Sequence, residues 1–268
     1  MPPPTYPLAP TALGEARAYE VAELALGPAW NHAATTDLLQ VSLAPNPVTG
    51  GWFVRTRHGA LGQLDATVRE EYPQLQRVHR SGMEPVTIAQ LSRLGDGLLA
   101  MDVLLPAPPF AVPRNNLPAA ARLLPQGEGL LLDTATADGV SAEEIADISP
   151  AQLLVTLSSV AGEVVAVYDN RPVGVVPATR TPAGFADQVA ARQQAGAPLA
   201  ARAFCGDGLI AVDIAAELVD AAQPLPALSE PPPQPYQPID LSADWEAFID
   251  AAEVSLDPPR GPRPVAGP

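Results

Sequence analysis

Apolar residues in this chain alternate with polar ones in short runs that recur in the same order in two places. Residues 39–43 and 153–157 are rich in aliphatic and β-branched residues and read as first strands. Trp52-Phe53-Val54-Arg55-Thr56 and Val164-Val165-Ala166-Val167-Tyr168 read as second strands. Each leads into turn residues, His58-Gly59 in one place and Asp169-Asn170-Arg171-Pro172 in the other. The chain re-enters through 60–64 and 173–176, where the central Gly62 and Gly174 predict a bulge or a close backbone approach. The period then changes. Phe185, Val189 and Ala190 fall at helical spacing, and Thr181 as N-cap, Pro182 at the first helical position and Gly196 beyond the end predict a helix over 182–195. Pro73 interrupts its counterpart, which predicts a short turn near 66–71 and a helix over 73–81 closed by Gly82. A hairpin ends each run, 86–91 with 98–103 and 199–204 with 209–214, around a Gly-Asp-Gly turn.

These elements are one unit written twice. Gly95-Asp96-Gly97-Leu98-Leu99-Ala100-Met101-Asp102-Val103 matches Gly206-Asp207-Gly208-Leu209-Ile210-Ala211-Val212-Asp213-Ile214, and Leu61-Gly62, Gly82 and Pro85 match Val173-Gly174, Gly196 and Pro198 in order. The expected fold class is α+β, mainly β: two tandem small β-barrel-like units at 38–104 and 152–215, each with one packed helix. The expected surroundings are a partly disordered segment at 1–37 and a Pro-rich linker at 105–151. An acidic Pro-rich tail occupies 216–268. Within the linker, 129–133 reads as an added strand, and Ser141-Ala142-Glu143-Glu144 as a capping box opening a short helix toward Ile148.

Composition adds location and charge. The 268 residues are 47% hydrophobic, enough for real cores, while 33 prolines mark the termini and the linker. No apolar run reaches the roughly 20 residues that span a bilayer, and Met1-Pro2-Pro3-Pro4 lacks a signal-like start. Together with a single cysteine, Cys205, this predicts a cytoplasmic protein that does not enter membranes. All basic residues are arginine, which fits coding bias. Of the net charge of −15, the repeats carry only about −1, and the tail after Ile214 carries −7. That balance disfavours general nucleic-acid binding.

The first unit resembles the HIRAN domain, a small β-barrel found alone and attached to helicase-type proteins. The resemblance is carried by Asn46-Pro47, Phe53-Val54-Arg55 and His58-Gly59-Ala60-Leu61-Gly62-Gln63-Leu64 running into a helix that ends at Gly82. In the second unit Asn170-Arg171-Pro172-Val173-Gly174-Val175-Val176-Pro177 corresponds. The resemblance covers about half of the chain and implies the barrel fold. It also implies the DNA-end binding of some family members, although both copies lack the acidic, Asn-Ala-containing segment usual before the second strand.

No nucleophile, acid/base or metal constellation stands out, so no cofactor, metal or catalytic residue is expected. His32, His58 and His79 have no ligand spacing. Cys205 reads as a small apolar filler, and Asp102 and Asp213 as equivalent residues that face solvent at the end of the last strand or hold a turn. Two surfaces remain as candidates. Arg55, Arg57, Arg77 and Arg80, near Trp52, Phe53 and Tyr72, combine charge and aromatic faces as single-stranded nucleic acid requires. In the tail, Leu241, Trp245, Phe248 and Ile249 share one face of an amphipathic helix expected over 241–252, behind the proline-rich stretch 231–235. A tethered amphipathic helix is a partner-recognition device, so the first expectation is a non-catalytic adaptor that binds a protein through its tail, with folding back onto the repeats as the other use. Nucleic-acid binding by the first unit is the alternative.

Overall fold

The computed structural model describes residues 3–11, 16–134 and 139–229. Mainly β, it repeats one curled sheet. The first is built from β1 (Thr5–Pro7), β2 (Arg17–Glu20), α1 (Leu26–Ala33), β3 (Leu38–Pro45), β4 (Trp52–Thr56), β5 (Gly59–Leu64), α2 (Ala66–Glu71), α3 (Leu75–Arg80), β6 (Glu84–Arg93) and β7 (Leu99–Leu105). The second is built from β8 (Arg122–Leu123), β9 (Glu128–Leu131), α4 (Ala142–Ile148), β10 (Ala151–Val160), β11 (Glu163–Tyr168), β12 (Arg171–Val176), α5 (Phe185–Gln194), β13 (Leu199–Gly206) and β14 (Leu209–Ile214). The strand orders are β2-β7-β6-β3-β4-β5 and β9-β14-β13-β10-β11-β12, with β1 parallel to β6 and β8 parallel to β13.

The repeat therefore begins further upstream than periodicity predicts. The segment 1–37 is not a loose leader in its described part: β2 pairs with β7, and Tyr6, Val21, Ala29 and Ala33 enter the first core. In the linker, β8, β9 and α4 belong to the second unit as β1, β2 and α1 belong to the first, with Leu8 N–H bonding Val86 and Leu124 N–H bonding Ala200. Burial of widely spaced apolar residues against a preformed sheet holds these short strands, which have too few residues to show a period.

Gly62 and Gly174 close the sheets. After β2 the chain crosses β5, where Ala22 and Gln63 exchange backbone hydrogen bonds, and after β9 Asp133 and Val175 do the same. A β-bulge sits opposite each glycine, at Val54/Arg55 and at Ala166/Val167. A Cβ on Gly62 would stand 2.4 Å from Val21 Cγ1, and one on Gly174 2.7 Å from Leu132 Cβ. The close approach expected from sequence is this crossing.

Three local expectations are corrected. The long helix of the second unit starts at Phe185, because Gly184 takes φ 82° and Pro182 to Gly184 form a turn, Phe185 N–H bonding the Pro182 carbonyl. The two Gly-Asp-Gly segments are not in equivalent register. Asp207 and Gly208 form a two-residue hairpin between paired Gly206 and Leu209, whereas Gly95 to Gly97 form a 3-10 turn in the longer loop between Arg93 and Leu99. Asp102 and Asp213 are consequently not counterparts, and Asp213, at 2% exposure, is buried rather than solvent-facing.

The two units pack on one another. Phe110 from the linker meets Phe204 of β13 edge to face at 5.7 Å. The described part of the tail then returns: Gln223 bridges to Leu123, Leu225 packs on both units, and Leu228 is buried in the first core. Among the described residues no helix is long and apolar enough to cross a membrane.

Candidate functional site

Both barrels carry a groove at the same place, where the first strand of the hairpin outruns the second. In the first unit β3 pairs with β4 only as far as Ser42 opposite Arg55, because β4 turns away through Arg57 and His58 into β5. Among the described residues no strand pairs with the upstream half of β3 on that side. The resulting cavity of about 520 Å3 is lined by Gln40, Ser42, Arg55, Arg57, His58 and Glu84, with Pro3 and Thr5 at its rim.

The lining is polar and partly self-satisfied. Ser42 Oγ donates to Glu84 Oε2 at 2.7 Å, and Arg55 Nη1 donates to Glu84 Oε1 at 3.4 Å. Arg57 Nε donates to His58 Nε2 at 2.9 Å. Arg55, Arg57 and His58 are all exposed.

In the second unit Thr156 stands opposite Val167 as Ser42 stands opposite Arg55. The equivalent cavity, of about 420 Å3, is lined by Asn115, Asn116, Thr156, Tyr168, Asp169 and Asn170. Arginine has given way to valine and the basic turn to an acid and an amide. This groove is also partly filled by the chain itself. Arg114 N–H bonds the Gln152 carbonyl, Asn115 Nδ2 donates to the Leu154 carbonyl, and Leu154 N–H donates to Asn115 Oδ1. Asn116 makes the same two-bond clamp on Leu228. Sequence reasoning passed over this Asn-Asn pair, although an Asn that mimics a peptide group is a known way of holding backbone.

The expected nucleic-acid residues separate. Arg55 and Arg57 line the first groove. Arg77 is instead buried at 6% exposure, donating to the Pro113 carbonyl where the linker crosses, and Arg80 is exposed at the end of α3 without lining the groove. Trp52 and Tyr72 are fully buried in the core, the Tyr72 hydroxyl donating to the Pro106 carbonyl. Leu241, Trp245, Phe248 and Ile249 lie outside the described residues.

Hydrogen bonds from Arg171 and Ser141 hold the exposed Glu144 carboxyl down at about 2, whereas other shifted groups lie in the cores and between the units. Desolvation pushes the Cys205 thiol up to about 12 and holds His79 down at about 4, its Nε2 buried without a partner among the described residues. Burial also pushes Asp213 up to about 6, against the lowering pull of the Gly127 N–H on Oδ1 and of Arg202. Desolvation likewise raises Tyr6 against the pull of Arg202 and Arg77. Burial of these groups suits packing. Among the described residues no three His, Cys, Asp or Glu converge as metal ligands. No protein-family model, curated protein or solved structure matches this chain.

Proposed function

We propose that this chain is a non-catalytic interaction protein, an adaptor whose two fused barrels present two diverged grooves and whose stretch 241–252 contacts a protein partner through Leu241, Trp245, Phe248 and Ile249. The observation that carries the reading is the recurrence of one groove at the same hairpin in both barrels, with Arg55, Arg57 and His58 in the first replaced by Val167, Asp169 and Asn170 in the second. A scaffold that keeps a concave surface while its charge changes serves two binding specificities. The HIRAN-like pattern of the sequence supports a binding module on a small barrel. A cytoplasmic location, which the single, buried Cys205 fits, is part of the proposal.

The test is co-purification from lysate, after nuclease, of the full chain, a chain ended after Ser229 and the Trp245→Ala/Phe248→Ala double variant. A truncation at Ser229 keeps Leu225 and Leu228 in place, so it removes only the stretch beyond the described residues. A protein held by the full chain and lost from both others is expected. Equal capture by all three removes the role of the tail.

A second reading, single-stranded or end-specific nucleic-acid binding by the first groove, is favoured by the exposed Arg57 and Arg55 but opposed by Glu84 at the start of β6, which pairs with Arg55. Short single strands at low salt, with Arg57→Glu as control, test it by gel shift.

A further inference from the structure

We propose that the open edge of β3 at Gln40 is a strand-addition site, and that its occupant is the short stretch 239–241 of this chain's own tail. This rests on the reading of the tail as a docking element. The direction of the Gln40 backbone follows from the alternation of an antiparallel ladder. Val86 faces β1, since its carbonyl accepts from Leu8 N–H, so the Val86 and Ser42 pair exchanges no hydrogen bonds and Ser42 turns its backbone to β4. Gln40, two residues earlier, turns its N–H and C=O the same way, beyond the end of β4 and into the 520 Å3 groove. The second barrel is the control: Leu154 occupies the corresponding position, and its N–H and C=O are both taken by Asn115 of the chain's own linker. Among the described residues nothing does this for Gln40.

Charge and reach select the occupant. The groove offers Arg57 and Arg55, and the residues after Ile214 carry −7. The described chain ends at Ser229, whose N–H bonds Ser81 Oγ at 3.0 Å, three residues before the groove-lining Glu84. From there Gln40 is on the order of 25 Å away along the path through Glu84 and Ser42. Residues 230–238 include five prolines, which lack backbone donors, and a proline-rich tether of that length reaches roughly 28 Å. The first three successive residues with donors are Ile239, Asp240 and Leu241, and Asp240 supplies a carboxylate for Arg57. Strand addition there takes Leu241 into the groove and leaves Trp245, Phe248 and Ile249 beyond it for the partner.

Amide hydrogen exchange of Gln40 in the full-length chain, followed by NMR, tests this. Gln40 N–H is expected to exchange at least tenfold faster in Ile239→Pro/Leu241→Pro, which removes the tail N–H groups that would bond the Gln40 carbonyl and so unseats the added strand without changing charge, and in Arg57→Glu. An added Asp240→Lys is expected to restore protection to Arg57→Glu. Wild-type exchange at the unprotected rate, or protection untouched by the proline pair, overturns the proposal. Protection that grows with protein concentration overturns it in favour of a second copy's tail. None of these readouts depends on an external partner, so they stand or fall apart from co-purification.

Discussion

A methyl group at Gly62 or Gly174 has nowhere to go. Beyond the side-chain contacts of Val21 and Leu132, each Cβ would lie against a carbonyl oxygen, Ala22 O at 2.7 Å and Asp133 O at 2.9 Å, and backbone at a sheet closure cannot retreat as a flexible side chain does. Gly62→Ala and Gly174→Ala are therefore expected to destabilise by about 2 kcal/mol or more, read from urea midpoints. Two buried titrating groups work against each other. His79 is depressed to about 4 from 6.5, so its contribution to stability is present above 6.5 and is lost as pH falls toward 4. Asp213 is raised to about 6 from 3.8, so its contribution is present below 3.8 and is lost as pH rises through 6. In the wild type the two trends oppose over the same window. Asp213→Asn is expected to unmask the His79 trend, with stability falling on acidification from 6.5 to 4. His79→Gln is expected to unmask the other, with stability rising by on the order of 2 kcal/mol over that interval relative to the double variant. Parallel curves for all four proteins would contradict the burial argument.

The strands show what a sequence reveals and what it hides. Period-two apolar runs marked the strands that form the walls of each barrel, and Gly62 with Gly174 marked the crossing, because both features are local. Register was not local. The identity of the two Gly-Asp-Gly runs pairs Met101 with Val212, whereas the ladders put Met101 opposite Leu91 and Ile210 opposite Cys205. The discrepancy is two residues, which returns every side chain to the same face, so burial patterns agree under either alignment. It also explains Cys205: its counterpart is the buried Leu91 and not the exposed Leu94. The closing strands β1 and β8, of three and two residues, carry no period and are specified only by distant partners. The open edge at Gln40 was hidden for the same reason, since it exists only where β4 ends relative to β3. At this scale Asn115 is the device to remove. Asn115→Ala strips both hydrogen bonds from the Leu154 backbone, and a loss of about 1–3 kcal/mol is expected together with faster amide exchange at Leu154. Exchange at Leu154 unchanged from wild type would mean that water replaces the clamp without cost.

At the scale of the molecule the linker and the returning tail act as mortar between two barrels that each have a core of their own. Phe110 lies at the centre of the contact, 1% exposed, with Phe204, Ala107, Ala9 and Ala211 around it, and Arg77 reaches from α3 to the Pro113 carbonyl in the same linker. A hydrophobic plug joining two cores couples their unfolding only while it stays filled. The wild-type chain is expected to melt in one calorimetric transition. Phe110→Ala leaves a cavity facing Phe204 that alanines on either side cannot fill, which costs about 3–5 kcal/mol, nearly all of it from the contact rather than from either core. The expected result is two resolved transitions, one for each barrel, with the Leu154 and Gln40 amides reporting on them separately by exchange. One transition shifted down as a whole would show that the clamps on Leu123, Leu154 and Leu228 already suffice to make the two barrels a single cooperative unit.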